Sequence, residues 1–287
     1  MLKQLTPVNI IVAHGLEAKA LVPMLGLERQ QTPSGFAEYC NSDNLCLLVS
    51  GIGKEAMAAA VNYLGDKQAV GDGEMRAWLN IGIAGHTNAP LGSAWLGNKI
   101  TDFSSARSAY PPQLFDGFEV GSVVTVEEPE SVYPLDAAYE MEAAAFYAAA
   151  STYSTAEMVQ VYKIISDNLE HPLSRMDIKI VPELIAGHAD KVKLLIQKMS
   201  KLLNQHNVSQ SLPSAYLDLC AKLRLTVNQR LQLKRLCQRY RALDLETELE
   251  RVAGLKPVDA KQLLAQLSRR IDEDQVSVKT LCSRQSM

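Results

Sequence analysis

The sequence has few of the residues that mark secreted, metal-binding or membrane-spanning proteins. Its 287 residues include only five Cys, which form no C-x-x-C pair and no regular spacing. A disulfide framework is therefore not expected, whereas reduced, mostly structural thiols in a cytoplasmic protein are. The five His are equally scattered, so no metal site is predicted. No apolar run approaches the roughly 20 residues that span a bilayer, and the first residues lack the long apolar stretch of a signal peptide.

The charge of the chain is low overall but unevenly divided. The net charge is -3, and 47% of the residues are apolar, as is ordinary for a globular protein. Residues 201–287 carry 15 Lys and Arg against 9 Asp and Glu, a net charge of +6, which leaves residues 1–200 at -9. The length suffices for one large α/β domain and a smaller unit, and the division of charge favours two units with different surfaces.

Residues 1–204 alternate apolar strands with helical patterns. The strand candidates are Val8–Ala13, Leu45–Ser50, Ala77–Ile83, Gly121–Val126, Ala137–Met141 and Val159–Ile165. The helix candidates are Leu16–Leu25, Lys54–Tyr63, Glu142–Ala150 and Ile185–Leu203. Continuous β-branched runs are typical of strands covered on both faces. The alternation therefore predicts an α/β fold, a three-layer sandwich with a central, mostly parallel twisted sheet.

The remainder of the chain has a different pattern. Residues 205–212 are rich in Ser, Asn and Gln and predict a linker. Residues 213–287 have helical periodicity without strands, which predicts a small all-α unit whose tail, Val276–Met287, is frayed. The helix candidates of this unit are Ala215–Leu223, Val227–Leu243, Leu245–Ala253 and Val258–Ile271.

Polar or Gly-rich turns follow several of the predicted strands. They lie at Ala13–Glu17, Ser50–Lys54, Ile83–His86 and Ser166–Asn168. Because the carboxyl ends of parallel strands meet at one edge of a sheet, we expect these turns to lie together, where ligands bind in such folds.

Two carboxylates stand where a predicted strand runs into a helix. Glu140 and Glu142 are two residues apart, so in a strand both side chains point to the same side. Two carboxylates on one side are costly to bury without a polar ligand, and a sugar diol would satisfy them. The alternative is that the pair only complements the dipole at the N-terminus of the helix.

The turns and the carboxylate pair occur in an order that resembles the nucleoside phosphorylase/nucleosidase superfamily, of the purine nucleoside phosphorylase and methylthioadenosine nucleosidase type. The matching motifs are A-x-x-x-E, S-G-I-G-K, N-x-G-x-A-G, E-M-E-A and I-S-D, within about residues 8–204. The resemblance implies an enzyme that cleaves the N-glycosidic bond of a purine nucleoside or a nucleoside-bearing metabolite, without a cofactor. The helical C-terminal unit lies outside it.

The resemblance also implies roles for the matching residues. Asp167, preceded by Ser166 at the same site, would protonate the leaving base and must then carry a proton near neutral pH. Glu142 would accept hydrogen bonds from the ribose hydroxyls, with Met141 packed against the sugar. Without the other motifs, a helix cap is the favoured interpretation of Ser166 and Asp167.

Further residues of the implied pocket surround the base and the sugar. Ala84 and Gly85 would line the base with backbone, since a glycine permits close approach of a flat ring. His86 stands where a second Gly is frequent, which leaves the identity of the base open. Ser50 and Gly53 would lie near the ribose and the phosphate or water.

Glu140 would position water or support Glu142.

The Arg residues that would bind phosphate are missing from the sequence. The phosphorylases use Arg near the first turn and before the second, but Ala13–Lys19 and Leu47–Ser50 contain none. Glu17 instead stands where the nucleosidases place the carboxylate that activates water. The resemblance therefore favours hydrolysis. The alternatives are a phosphorylase with an atypical phosphate site, for which phosphate is a co-substrate, and a Glu17 that only complements the helix dipole.

A basic segment in the C-terminal unit suggests a second class of function. Lys222–Arg241 contains seven Lys and Arg and no acid. A solvated face of a helical bundle is the favoured interpretation, and a nucleic-acid surface on a nucleoside-sensing or nucleic-acid-associated module is the alternative. The family resemblance implies a homo-oligomer, by default a homodimer, with a small-molecule nucleoside as ligand and no membrane partner.

Overall fold

The structure is a computed structural model that describes residues 7–32, 35–71, 75–210, 212–255 and 259–271. The chain forms two compact units, Met1–Asn204 and Gln205–Met287. No helix in the described ranges combines the length and the apolar character that a membrane span needs.

The first unit combines one sheet with five α-helices in its described residues. The strands are β1 (Val8–Val12), β2 (Glu28–Arg29), β3 (Ala37–Cys40), β4 (Cys46–Val49), β5 (Ala77–His86), β6 (Ala94–Asp102), β7 (Arg107–Ala109), β8 (Val120–Thr125), β9 (Ala138–Glu140) and β10 (Val159–Asn168). The helices are α1 (Gly15–Met24), α2 (Lys54–Gly71), α3 (Ala143–Ala150), α4 (Val181–Ala186) and α5 (Ala189–Gln210). The mixed α/β class is as predicted.

The sheet is not mostly parallel, and this part of the predicted three-layer sandwich needs correction. The pairs β1–β4, β1–β5, β5–β10, β6–β8 and β8–β9 are parallel, whereas β2–β3, β3–β4, β5–β9, β6–β7 and β6–β10 are antiparallel. Because β10 pairs with both β5 and β6, the strands β5, β10, β6, β8 and β9 close into a ring, as in a barrel. Four of these antiparallel pairs involve β2, β3, β6 or β7, which the sequence analysis did not predict.

Both faces of the strands β1 and β5 are covered, as the apolar runs predict. In β1, Val8, Ile10 and Val12 pack in the core shared with α1, α4 and α5, and the intervening Ile11 packs in the core shared with α2 and α3. The period of two residues separates the faces. Each fully buried aliphatic side chain of this kind contributes about 1.5–3 kcal/mol relative to an exposed one.

Several predicted boundaries need correction. The linker over 205–212 is wrong, because α5 continues through Gln210. Ser, Asn and Gln are tolerated within a helix, and no Gly or Pro interrupts the segment before Pro213. The predicted helix Ile185–Leu203 is two helices, which Gly187 and His188 separate. The predicted tail Val276–Met287 lies outside the described residues.

The prediction of reduced thiols is wrong for one pair of cysteines. Cys40 and Cys46 face each other on the antiparallel strands β3 and β4 and form a disulfide. Among the described residues, one cluster of potential metal ligands is found, formed by Glu38 and these two cysteines. The disulfide already engages both sulfur atoms of this cluster. Cys220 and Cys237 are free thiols. Cys282 lies outside the described residues.

The described residues of the second unit form helices and no strand. Its helices are α6 (Ser214–Lys222), α7 (Val227–Ala242), α8 (Glu246–Gly254) and α9 (260–271). A separate apolar core joins them, which includes Leu219, Leu233, Tyr240, Leu249 and Leu267. Thr226 begins α7 with a capping box, in which its hydroxyl accepts a hydrogen bond from Gln229 N.

Candidate active site

The predicted turns of the first unit meet at one cavity of about 200 Å³. It lies where β1, β5 and β10 end, as expected for the carboxyl ends of parallel strands. The predicted residues that line it are Glu17, Ala84, Gly85, Glu140, Met141, Glu142, Ser166 and Asp167. Five carboxylates, including that of Glu130, therefore share one cavity with apolar walls.

Asp167 is placed by an irregularity in β10. The register against β5 pairs Ile165 with Ala84 and Asp167 with Gly85, so Ser166 is an extra residue in the strand. Such a bulge re-aims the side chains next to it. Asp167 is 3% exposed, and its Oδ1 accepts a hydrogen bond from Ser166 Oγ at 2.6 Å. Ser166 and Asp167 therefore lie within a strand and do not cap a helix.

A tyrosine that the sequence analysis missed contacts the other oxygen of Asp167. Tyr133, from the segment between β8 and β9, donates its phenol hydrogen bond to Oδ2 of Asp167. A Cβ on Gly85 would lie 2.6 Å from both that carboxylate oxygen and the phenol oxygen. The absence of a side chain at Gly85 is therefore what allows Tyr133 and Asp167 to meet.

Three of the carboxylates surround a buried ammonium group. Lys163 in β10 is 1% exposed, and its Nζ lies 2.8 Å from Oε2 of Glu140. Burial alone would lower the pKa of Lys163, but the charges of Glu140, Glu142 and Glu17 raise it above its usual range. The ammonium therefore stays charged and offsets part of the repulsion among the carboxylates.

Glu17 is held by backbone donors. Its Oε2 accepts hydrogen bonds from Ala13 N at 2.8 Å and His14 N at 2.9 Å, and its Oε1 accepts one from Ile83 N at 3.1 Å. Burial raises the pKa of Glu17, while Lys163 and the backbone donors oppose the rise. Glu17 thus caps α1 and lines the cavity at the same time.

The two carboxylates of the E-x-E pair have different surroundings. Glu140 Oε2 faces Lys163, and its Oε1 accepts a hydrogen bond from Thr125 Oγ1 at 2.5 Å, while both oxygens receive the N–H of Ala143. Glu140 is therefore satisfied by the protein itself, and it accepts the first backbone N–H of α3.

Glu142 keeps acceptor capacity for a ligand. Among the described residues, its side chain accepts one hydrogen bond, from Gly53 N at 2.7 Å. Burial raises the pKa of Glu142 to about 7, with Lys163 lowering it and Glu140 raising it. Glu142 can thus gain or lose a proton near neutral pH, and it lines the cavity.

Two predicted residues of the second turn have other positions than expected. Ser50 does not line the cavity, because its hydroxyl donates to Val12 O at 3.2 Å and to Gly51 O at 2.7 Å. Gly53 takes part only through its backbone contact with Glu142. Ile52 between them lines the cavity instead, with 61% of its surface exposed.

His86 lies behind the cavity and is not among the residues that line it. Its Nδ1 accepts hydrogen bonds from Asn88 N at 3.1 Å and Ala89 N at 2.9 Å, which places a proton on Nε2, 3.1 Å from Asp136 Oδ1. Burial lowers the pKa of His86 despite Asp136, so the ring is neutral at pH 7. His86 therefore contributes no atom to the lining of the cavity, and the identity of the base stays open.

The sequence offered one unused signal for the missed residues. Lys163 interrupts a strand that is otherwise buried along its length, and a lysine at such a position needs partners of opposite charge. Tyr133 had no comparable signal, because residues 127–136 have neither helical nor strand periodicity. Leu173 and Ile178 add apolar surface to the cavity wall. They lie in short 3₁₀ turns, which likewise have no periodic pattern in the sequence.

Comparison with known proteins gives a likeness of fold. No protein-family model and no curated protein sequence matches the chain. Among solved structures, the 5′-methylthioadenosine/S-adenosylhomocysteine nucleosidase of Neisseria meningitidis, in complex with methylthio-immucillin-A, matches with 19% identity and a TM-score of 0.53. The match covers 68% of this chain and 100% of that chain.

Two further structures match in the same way. The corresponding nucleosidase of Helicobacter pylori has 13% identity and a TM-score of 0.54, over 68% of this chain and 100% of that one. The 5′-methylthioadenosine nucleosidase of Arabidopsis thaliana has 14% identity and a TM-score of 0.54, over 69% of this chain and 97% of that one. The predicted resemblance is thereby confirmed at the level of the fold.

The buried cation generates a first prediction. Replacing Lys163 by Met removes the counter-charge of three buried carboxylates, so we expect Lys163→Met to lower the free energy of unfolding by about 3–5 kcal/mol at pH 7. Because burial already raises the pKa of Glu17 and Glu142, these groups take up protons as the pH falls, and the loss shrinks at pH 5. Denaturant unfolding at both pH values measures the effect.

The matched control is Lys198→Met, which removes an exposed ion pair with Asp116. We expect a small loss at both pH values, well below that of Lys163→Met at pH 7. Equal and small losses in the two variants would contradict the assigned role of Lys163.

Proposed function

We propose that the protein hydrolyses the N-glycosidic bond of a purine nucleoside or a nucleoside-bearing metabolite. The observation that carries the proposal is one cavity lined both by a hydroxyl-bound aspartate, Asp167, and by two further carboxylates, Glu17 and Glu142. The fold likeness to structures described as nucleosidases supports it. Each proposed role uses a contact described above.

Asp167 is the proposed acid. Its proton goes to N7 of the purine while the bond between C1′ and the base breaks, and the electron pair of that bond goes to the base. Because Asp167 is 3% exposed, little water competes for this proton. Ala84 and Gly85 provide backbone beside it where the flat base would lie.

Glu142 is the proposed ribose ligand, with Met141 beneath the sugar. An ionised carboxylate accepts hydrogen bonds from two hydroxyl groups. It also stabilises the positive charge that grows on the sugar in the transition state. Gly53 N engages one oxygen of Glu142 and so fixes its orientation. Glu140 supports Glu142 through its ion pair with Lys163 and its hydrogen bond from the N-terminus of α3.

Glu17 is the proposed base for water. The water oxygen bonds to C1′, and its proton goes to Glu17, which burial makes a stronger base. The three backbone donors hold the carboxylate in place during this transfer.

Water is favoured over phosphate by the charge of the cavity. None of the described residues that line it is Arg or Lys, whereas five are Glu or Asp. A phosphate dianion would lack the charged donors that normally bind it and would meet repulsion from the carboxylates. The alternative, a phosphorylase with an atypical phosphate site, requires a cation that the cavity lining does not provide.

The proposed reaction is tested by release of free base from adenosine, inosine and methylthioadenosine. We expect release without phosphate, unchanged when phosphate is added, because water is the nucleophile. We expect Asp167→Asn to lower kcat by about 10²–10⁴-fold, the typical contribution of a positioned acid. Chromatography of the free base measures both.

Asp102→Asn is the matched control, since Asp102 binds Lys54 outside the cavity. Release that requires phosphate would identify a phosphorylase. Full activity in Asp167→Asn, or no release from any nucleoside, would contradict the proposed reaction.

The proposed sugar ligand makes nucleoside binding dependent on pH. Since the pKa of Glu142 is about 7, the ionised fraction of this carboxyl rises about tenfold between pH 6 and pH 8. We therefore expect the Kd of adenosine for the inactive Asp167→Asn variant to fall by up to about tenfold over that range. Isothermal titration calorimetry measures the Kd.

Adding Glu142→Gln to this variant should weaken binding and remove the trend, because Gln does not ionise. A Kd that is the same at pH 6 and pH 8 in Asp167→Asn would count against Glu142 as the sugar ligand.

A second candidate function concerns the helical unit, and α7 carries the observation. Arg230 and Lys234, and likewise Arg235 and Arg239, are like charges four residues apart, which destabilise a helix. No acid lies in the first turn of α7, where the dipole favours one. Within the part of the chain that the structure describes, none of these four cations is recorded in an ion pair. The charge therefore opposes the stability of the helix, which favours an anionic partner.

The arrangement fits duplex DNA. The exposed face of α7 carries Arg230 and Lys234 on one side and Arg235 and Arg239 on the other, opposite the buried Leu236. A helix of this width enters the major groove of B-DNA, where flanking cations reach phosphates. The four residues between α6 and α7 have the length of the turn in helix-turn-helix proteins. We propose that α7 binds the DNA backbone.

The test is binding of the full-length protein to a fluorescent DNA duplex over a range of salt. Each phosphate neutralised contributes about -0.9 to the slope of log K against log salt, so Arg235→Gln/Arg239→Gln should reduce the slope by about 2. The control Lys19→Gln/Lys99→Gln removes two exposed cations from the first unit and should leave the slope unchanged. Equal effects of the two variants, or no binding, would contradict the proposal.

A further inference from the structure

Tyr133 has an unusual conformation for a buried aromatic residue. It lies between β8 and β9, is 3% exposed, and has a φ of 49°, in the left-handed region that a residue with a bulky side chain rarely adopts. Such a conformation persists only where the surroundings fix it, and it occurs most often at functional sites. The residues that contact Tyr133 therefore indicate its function.

Contacts on both sides of the residue hold it in this conformation. Thr87 Oγ1 donates to the carbonyl of Tyr133 at 2.8 Å, and the ring packs edge-on against that of Tyr139, with 5.6 Å between centroids. The hydroxyl of Tyr139 in turn accepts a hydrogen bond from Leu135 N at 2.8 Å. The segment is thus tied to β5 and β9, and the phenol has one direction in which to point.

That direction is toward Asp167. The phenol donates to Oδ2, and Ser166 Oγ donates to Oδ1, so each oxygen of the carboxylate has its own hydroxyl donor. Two donors on opposite oxygens fix the rotation of the carboxyl group. Gly85 is required for this contact, because a Cβ there would meet both partners.

We propose that Tyr133 is a positioning residue for Asp167: its hydroxyl orients the carboxyl group toward the base. The inference rests on the proposed function, in which Asp167 is the acid. Burial and the contact with Asp167 raise the pKa of Tyr133, so the phenol remains a donor throughout the range in which enzymes are assayed.

The proposal has a consequence for the pH profile. A donor to a carboxylate favours its charged form, so removal of the phenol is expected to move the alkaline limb of the kcat profile to higher pH. The charged and titratable groups around the cavity are Glu130 in the same segment, Tyr139 in β9, His14 at the start of α1, and the cluster of Glu17, Glu140, Glu142 and Lys163. Tyr133→Phe changes no charge, so these groups keep their own influence.

The experiment compares the pH dependence of kcat in the full-length protein and in Tyr133→Phe. We expect the alkaline limb of the profile to move up by about one pH unit or more, the size of a hydrogen bond to a charged group. We also expect kcat on the acid plateau to fall, since the carboxyl group is no longer oriented. An unchanged limb would overturn the proposal, because a merely structural role lowers kcat equally at every pH.

The control is Tyr162→Phe, which removes a buried phenol that contacts His188 away from the cavity. We expect its profile to match that of the unchanged protein. A second comparison places Tyr133→Phe in the Asp167→Asn background, where it should have no further effect on kcat. A further loss of the same size there would show that Tyr133 does not act through Asp167.

A measurement without catalysis separates this proposal from the proposed function. The carboxyl carbon of Asp167, labelled with carbon-13, reports its ionisation by NMR in the unchanged protein and in Tyr133→Phe. A midpoint about one pH unit higher in the variant supports the contact even if no nucleoside is cleaved. Identical midpoints overturn it even if the enzyme is active.

Discussion

The ammonium group of Lys163 holds the carboxylates of the cavity together. Glu17 lies in the first turn of α1, whereas Glu140 and Glu142 lie at the junction of β9 and α3, and each of them interacts with this one buried charge. Without it, three carboxylates in an apolar cavity would repel one another and favour protonation or exposure. The ends of β1, β9 and β10 can therefore meet only because β10 brings a cation to the same place.

Lys163 also gives the carboxyl groups different electrostatic surroundings, and therefore different roles. Glu140 is neutralised by Lys163 and by donors at the start of α3, which leaves it a supporting role. Glu142 is more weakly compensated, has a pKa of about 7 and keeps acceptor sites toward the cavity. Asp167 stands apart from the cluster, and its two partners are neutral hydroxyls. Groups in different electrostatic surroundings suit a reaction that needs both an acid and a base.

The edge of the sheet could be predicted from the sequence, but its closure and its loop residues could not. The turns after β1, β5 and β10 follow apolar runs whose carboxyl ends must meet, so Glu17, Gly85 and Asp167 were correctly expected near one another. The strand β6 contains Gly97 and alternates irregularly, which concealed it and with it the ring that β10 closes. Tyr133 reaches Asp167 through a backbone conformation that depends on distant contacts, which no local pattern records.

The central claim is that this cavity holds a nucleoside between Asp167 and Glu142. The most direct measurement is a crystal structure of Asp167→Asn soaked with adenosine. The account predicts the base beside residue 167 and Gly85, and the ribose hydroxyls within hydrogen-bond distance of Glu142. A nucleoside bound elsewhere, or one whose hydroxyls face away from Glu142, would contradict it.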